Sequence, residues 1–511
     1  MSARPRDFAR LGEGTFDVCV IGAGILGSRI AYEATRDGLR VALVDAGDIG
    51  GATSSVSSKF IHGGLRYLVQ GHLDVVRASL LEKHAIVRDI APGLARPMPV
   101  VVSVERRGWS GALVQRAVLQ AYDALGGWSA ARTRLITDED ARRLVPALAG
   151  RPLGGCLLLD EAQVNDARLT LVTALAAADA GAVVANHARV TALGFANGGA
   201  QLDVRGPEGD VTVRAKSVVN ATGAWIDTVR TWEDTSATPI ARLSKGVHVV
   251  VPVEEPWRAA LSVHTDDEHN LFAAPWCGGL LVGVTDTPFD GAPTSLAVGP
   301  TDADVDLLLQ LAQRMLPAHL LRRERIRRVT AGLRVLPRGD GSTATAKRET
   351  IVDVGPRGMV SIGGGKLTTH RLEAMDALQH LPASVRPRRR APSRATLVGR
   401  PRPDGADGGG GARADARRGL SSETLAHLEA LYGDGVGDVL AHAEGDPAAL
   451  ERIHPDGPDI WAQVRHAVAS EWALGVDDVI DRRTTLGWRG LADEATRERI
   501  ARVLLATPVP A

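Results

Sequence analysis

Apolar and polar positions along the chain fall first into a strand, a break, a helix and a second strand. Val18-Cys19-Val20-Ile21 is a continuous apolar run, as expected of a strand buried on both faces. Gly22-Ala23-Gly24-Ile25-Leu26-Gly27 interrupts it. A helical period then runs from Ile25 to about Asp37, with Gly38 placed to stop it, and a second apolar run, Val41-Ala42-Leu43-Val44, ends on Asp45. The unit occupies about 16–45 and predicts an α/β fold opening on parallel strands.

Further along, a Ser/Gly-rich loop covers 47–59, followed by a helix from about Leu73 to Ile90, a strand over 97–104 and an amphipathic helix over 110–125. An Ala-rich helix is expected over 168–180, three short strands between 182 and 219, mostly strands from 240 to 290, and helices over 301–316 and 365–380. Residues 384–419 hold ten Arg, no Lys and a Gly408–Gly411 run, which predicts a linker or surface loop. From Ser421 two helical stretches carry apolar stripes, Leu425, Leu428 and Leu431 on one and Val464, Val468 and Trp472 on the other, and predict a separate helical C-terminal domain.

Composition narrows the class. The 511 residues are 44% apolar, enough for two or three globular domains, and 60 basic groups balance 60 acidic ones, so charge gives no footprint for nucleic acid. Three widely spaced cysteines, Cys19, Cys156 and Cys277, exclude a disulfide framework and show no metal-ligand spacing, so no metal is expected. No apolar secretory leader and no apolar stretch of about 18 residues is visible. These features fit a reducing cytoplasm.

The opening unit matches the dinucleotide fingerprint. Gly22 permits the tight turn, Gly24 clears space for a pyrophosphate, and Gly27 lets helix and strand approach. The helix N-terminus offers unpaired N–H groups to phosphate, and Asp45 is suited to ribose hydroxyls. By itself this pattern does not separate NAD from FAD. A second glycine turn, Ala221-Thr222-Gly223, closes another strand at Val219-Asn220, and the pair favours FAD.

With these in place, the chain resembles the FAD-dependent, quinone-linked glycerol-3-phosphate dehydrogenases. The resemblance rests on Thr53-Ser54-Ser55, Ser57 to Leu68, Asp166 to Leu169, Val219 to Gly223, Lys245 to Pro252, Pro275-Trp276, Gly283 to Asp286, Ala331 to Arg334 and Gly363 to Thr369, in that order, with Glu471-Trp472 and Asp481 to Thr484 further on. Leu26, Val56 and His370 stand where the family often has Asn, Arg and Tyr.

The resemblance implies a two-dinucleotide-binding, D-amino-acid-oxidase-like flavoprotein. A discontinuous Rossmann-type FAD-binding domain (16–90, 155–235, 350–383) is expected beside a mixed-sheet substrate domain (91–154, 236–349), a linker (384–419) and the helical domain (420–511). Beyond the glycines already named and Asp45, it implies FAD contacts from Thr53, Ser54, Ser55, Lys59, Gly63, Gly64, Ala221, Gly223, Gly364, Gly365, Leu367 and Thr368.

The expected substrate, sn-glycerol 3-phosphate, needs cations for its phosphate and a base for its hydroxyl. Arginine's forked donors suit the phosphate. Arg66, Arg334 and Arg348, with Tyr67 and Lys366, lie in or beside matched motifs. His62 is the first choice of general base, and His248 is the second candidate or a substrate-orienting group. Lys366, with backbone N–H groups around Gly364, Gly365 and Leu367, would stabilise negative charge on the flavin as hydride arrives.

Electrons would pass to a membrane quinone from a peripheral position on the inner face of the cytoplasmic membrane. A basic amphipathic stretch with Trp109 and Trp128 at 106–128 and the Arg-rich linker are the segments suited to that surface. A homodimer is also among the expectations. The competing readings are a glycerol-3-phosphate oxidase using O2, another FAD-dependent oxidoreductase of the same fold, and a catalytically silent FAD-binding protein.

Overall fold

The structure, a computed structural model, describes residues 7–64, 71–103, 120, 122–126, 133–151, 153, 155–196, 198–264, 270–296, 298–339, 349–400, 417 and 419–507. Two sheets organise it. The first runs Thr350–Val354, Val360–Gly364, Gly209–Asn220, Thr15–Ile21, Val41–Val44, Val183–Ala185, with the Arg189–Ala196 and Gly199–Gly206 hairpin continuing from Gly209–Asn220. Its centre is parallel: Ile21 pairs with Val44 on one side and Asn220 on the other, so both glycine turns leave the sheet at the same edge. Such strands are covered on both faces. Val18, Val20 and Leu43 pack with Ile30, Leu171 and Leu378 in one core, while Cys19, Ala42 and Val218 face a second.

The Ile25–Arg36 helix ends where expected, with Gly38 at φ +88° and its N–H on the Thr35 carbonyl. The expected helix over 73–90 is α-helical for Leu73–Ala85 and widens to a π-helical turn over Ile86–Ile90. The Ala-rich helix is Asp166–Asp179, capped by the Asn165 side chain on Arg168 N–H. Four strands, not three, lie between 182 and 220: Val183–Ala185 is buried but only three residues long, too short to show a period. Most of the expected 110–125 helix and of the 106–128 stretch lies outside the described residues.

The second sheet is built around Ala241–Pro252, which pairs antiparallel with Arg328–Pro337 on one side and Gly279–Gly283 and Thr287–Phe289 on the other. It extends through Asn270–Trp276, Ala260–His264, Arg96–Ser103, Cys156–Gln163 and Phe60–Ile61. Phe60–Ile61 and Cys156–Gln163 come from ranges expected in the FAD-binding domain. Their mutual pairing (Phe60 with Gln163) and the Arg96–Ser103 pairing draw them into this sheet instead.

Residues 384–400 are more than the expected linker or surface loop. Val385 and Val398 are buried, Leu397 N–H bonds Ile90 O, and Arg389 pairs with Glu33 and Asp37 of the first helix. These partners turn the segment into a strap across the first sheet's helices. Residues 401–416 lie outside the described residues.

Beyond it, Ser421 caps Ser422–Tyr432 as its position predicts and the second expected stretch is the Trp461–Glu471 helix, with Trp472 just past its end; Val436–Leu440 and Glu494–Ala506 are further helices. It is locked to the first sheet by buried charge. Asp48 accepts from Arg482 Nε (2.5 Å) and from Arg483 at both oxygens (2.6 and 2.9 Å), and Arg168 pairs with Glu471 (2.7 Å).

Candidate functional site

The first glycine turn is shaped by contact with the second. Gly22 has φ +101°, and a Cβ there would sit 2.6 Å from the Ala221 carbonyl oxygen. A Cβ on Gly27 would enter the Gly22 carbonyl oxygen itself. Gly24 precedes the helix without a capping side chain, and Ile25 N–H donates to Ser54 Oγ (3.0 Å). Ala221 N–H bonds Ile21 O (2.9 Å), which sets the two turns side by side, and Gly223 (φ +58°) follows in open space.

Asp45 accepts from Ala23 N–H (2.6 Å) and Gly47 N–H (2.8 Å), so its first task is to brace the turn. Burial pushes its carboxyl up to about 6 against those two hydrogen bonds.

One segment, Thr53–Gly64, connects this cradle to everything else. Thr53 Oγ1 donates to Leu333 O (2.8 Å), and Gly332 leaves room for Val56. Ser55 Oγ closes locally on Ala52 O (3.1 Å). Ser57 N–H bonds Asp166 (2.8 Å), and Ser58 Oγ bonds His248 Nε2 (3.1 Å). His62 meets Thr368 through its backbone, and Gly63 N–H donates to Glu161 (3.2 Å). Gly63 must be glycine because a Cβ would strike Leu80 and the Tyr122 hydroxyl; Gly64 takes φ +76°.

On the strand pair, Arg334 stands opposite Ser244 and over Gly246, where a Cβ would lie 2.5 Å from its guanidinium. Its Nη1 donates to Thr285 O (3.1 Å) and lies 3.5 Å from Asp286. His248, two residues beyond Gly246, is buried against Phe272. Burial, then the charges of Arg334 and Lys59, hold its pKa down to about 3, so the ring is neutral. Its Nδ1 is buried without a partner among the described residues.

The third wall is Gly363–Thr369. Gly364 and Gly365 take φ +78° and +74°, and neither has room for a Cβ: Gly364 abuts the carbonyls of Glu349 and Val335, Gly365 the Glu373 carboxyl. Leu367 O bonds His370 Nδ1 (2.7 Å), and Thr368 is buried against His62.

The structure therefore brings together His62, His248, Arg334, the 363–369 turn with Lys366, and both glycine turns. Arg66, Tyr67 and Arg348 lie outside the described residues.

Lys59 is placed differently from its expected cofactor contact. Its ammonium is fully buried on Asp166 and Ser55 O, 4.2 Å over the Trp488 ring, so its side chain locks the loop rather than reaching a dinucleotide. Sequence reasoning missed Ser58, Asp166 and Glu161 as braces, and missed Glu373. Asp166 lay within a quoted motif; the Glu161 carboxyl, held by Lys83, Tyr122 and Gly63, carries no local signal.

The chain matches the family model "FAD dependent oxidoreductase" over residues 17–371 and "C-terminal domain of alpha-glycerophosphate oxidase" over 402–507. It is 37% identical over 491 residues to a glycerol-3-phosphate dehydrogenase of Mycobacterium leprae, covering 94% of this chain and 82% of that protein. Among solved structures, a glycerol-3-phosphate dehydrogenase from Bacillus halodurans complexed with FAD superposes with TM-score 0.72 at 24% identity, covering 98% and 96% of the two chains. L-alpha-glycerophosphate oxidase from Mycoplasma pneumoniae with FAD bound gives 0.58 at 18% identity over 72% and 95%.

Proposed function

The chain belongs to the FAD-dependent glycerol-3-phosphate dehydrogenase family, and from that premise we propose that it oxidises sn-glycerol 3-phosphate to dihydroxyacetone phosphate and passes the electrons to a membrane quinone. The observation that carries this is the single Thr53–Gly64 segment joining the dinucleotide cradle, the Arg334–His248 strand pair and the 363–369 turn. The residues present fit FAD: Gly22 and Gly27 pack the first turn tightly on the Ala221 and Gly22 carbonyls, the helix that follows starts at Gly24 without a capping side chain, and Gly364 and Gly365 hold the later turn close to its own neighbours.

When bound, FAD would supply the hydride acceptor for the substrate carbon. Arg334, with Arg66, Arg348 and Lys366, holds the phosphate. Thr285 O and Asp286 fix one end of the Arg334 fork, so its orientation is set before substrate arrives. His62 takes the hydroxyl proton, positioned by Thr368. His248 is a poor base because its pKa lies near 3; it serves as a neutral orienting group through Ser58. Lys366 and the backbone N–H groups of the turn stabilise negative charge at the flavin edge.

Among the described residues no helix is long and apolar enough to cross a membrane, so contact with quinone would come from the surface. The glycerophosphate-oxidase type of the C-terminal domain keeps oxygen as the alternative acceptor. Anaerobic mixing with sn-glycerol 3-phosphate should bleach the flavin absorbance within one turnover. Unchanged absorbance sinks the substrate, and faster reoxidation by oxygen than by a ubiquinone or menaquinone analogue sinks the quinone.

A further inference from the structure

Beneath the 363–369 turn stands a carboxyl group that the proposed reaction does not use. Glu373, in the first turn of the His370–Gln379 helix, sends Oε1 back to Lys366 N–H (3.0 Å) and Thr369 Oγ1 (2.6 Å). Its Oε2 is sealed from solvent and lies directly against the Cα of Gly365, filling the space a Cβ would take. The two consecutive positive-φ glycines and this carboxyl are one unit: the backbone passes over Glu373 because Gly364 and Gly365 let it.

We propose that Glu373 is a positioning residue for the flavin edge, holding the Gly364–Thr369 turn in shape and setting by its own charge how readily that turn accepts further negative charge. This rests on the reading that the turn lies against the flavin. The groups facing Glu373 are few. Lys366 in the turn is the opposite charge, Thr369 and Thr350 are hydroxyl donors. Arg371 on the same helix and Arg29 on the neighbouring one turn instead to Glu82, Glu33 and Ser393 O. Among the described residues one cation, Lys366, therefore offsets the carboxylate. Burial raises the Glu373 pKa to about 7 even against these donors, so its charge changes in the working pH range. Negative charge added at the turn is balanced by one proton from solvent bound at Glu373, and no other reactant enters.

The test is the flavin midpoint potential of the holoenzyme, read from absorbance against reference dyes between pH 5.5 and 8.5. Glu373→Gln keeps an oxygen for Lys366 N–H and Thr369 O–H but cannot ionise. Its potential should match wild type below about pH 6 and rise above wild type beyond pH 7, by several-fold in the oxidised-to-reduced equilibrium. Curves that coincide at every pH, or that are offset by a constant, overturn the charge role. Glu373→Leu removes the acceptor and should lose flavin on gel filtration while Glu373→Gln keeps it; equal retention by all three overturns the positioning role. Wild-type protein without flavin would fail the family reading rather than this one.

Discussion

The Thr368 hydroxyl closes a two-way bridge with the backbone of His62, accepting from its N–H at 3.1 Å and donating to its carbonyl at 3.3 Å. One buried side chain thus joins two motifs 306 residues apart. The relation fixes the histidine backbone against the turn that carries Lys366. Thr368→Val keeps the shape and removes both bonds, leaving two backbone groups to find new partners. We expect about 1–3 kcal/mol of lost stability by chemical denaturation. We also expect kcat to fall about tenfold or more, because the imidazole loses its register to the substrate. Thr368→Ser should recover most of both; a valine variant with wild-type kcat removes the bridge from catalysis.

Gly27 has no tolerance at all. An alanine methyl there would occupy the Gly22 carbonyl oxygen, which is backbone and cannot swing away. Among the protein's own atoms Gly24→Ala meets the Ser54 hydroxyl at 3.1 Å, a group that can rotate, so its cost is confined to the space expected for the pyrophosphate. The expected order of flavin content, measured as flavin released per protein on denaturation, is wild type, then Gly24→Ala, with Gly27→Ala close to none. Full flavin content in Gly27→Ala would refute this account of the turn.

How far these features were legible follows from their span in sequence. The turn at 22–27 is local: strand, glycines, helix and Asp45 lie within one βαβ unit, and each residue's job follows from its neighbours. The bonds that shape the site are not local. Lys59 reaches Asp166 across 107 residues, so a lysine in a loop that resembles a cofactor contact becomes a buried brace. The Arg-rich strap reads as a linker or surface loop because its charge is written in its own sequence. Its neutralising partners, Glu33 and Asp37, sit on the first helix, brought alongside by topology. Glu373 lies in a plain helical period and gains its meaning only from two glycines folded above it.

The C-terminal helices depend on Asp48. Its carboxylate is enclosed by Arg482 and Arg483, with Asn186 Nδ2 at 3.0 Å. Asp48→Asn removes the carboxylate that accepts from both arginines and leaves Arg482 to Asp478 and Arg483 to Glu471, a loss of about 1.5–3 kcal/mol. Asp48 lies three residues after Asp45, so the cost should reach the dinucleotide cradle as well. Differential scanning calorimetry should show a separate, earlier transition for the C-terminal part. A single transition at the wild-type temperature would show that the lock is not needed for docking.

His248 and His370 give the protein a steep acid limb. Both are buried with pKa held down to about 3, chiefly by burial and then by nearby arginines (for His248, Lys59 as well). In the unfolded chain each takes up a proton near pH 6.5, while in the folded protein it does not. The unfolded state therefore binds more protons between about pH 6.5 and 3, and stability falls as pH falls through that window, by up to about 1.4 kcal/mol per pH unit for each histidine. Asp45 and Glu373 act with the opposite sign. Their folded pKa values are raised, to about 6 and about 7, so the folded state holds the extra protons and stability falls as pH rises from about 4 toward 7. The two slopes oppose each other and, for these four groups, nearly cancel between about pH 4.5 and 6; His442, whose pKa burial holds down to about 4, adds a third slope of the histidine sign and tips the sum. Tm measured against pH should therefore rise from pH 4 to about 6.5 and flatten above it. His248→Gln removes one titration, and its Tm should climb less steeply between pH 4 and 6.5 whatever its starting value. A slope equal to wild type would mean that His248 is already charged in the folded protein, and the neutral ring assigned to it as a substrate-orienting group would be wrong.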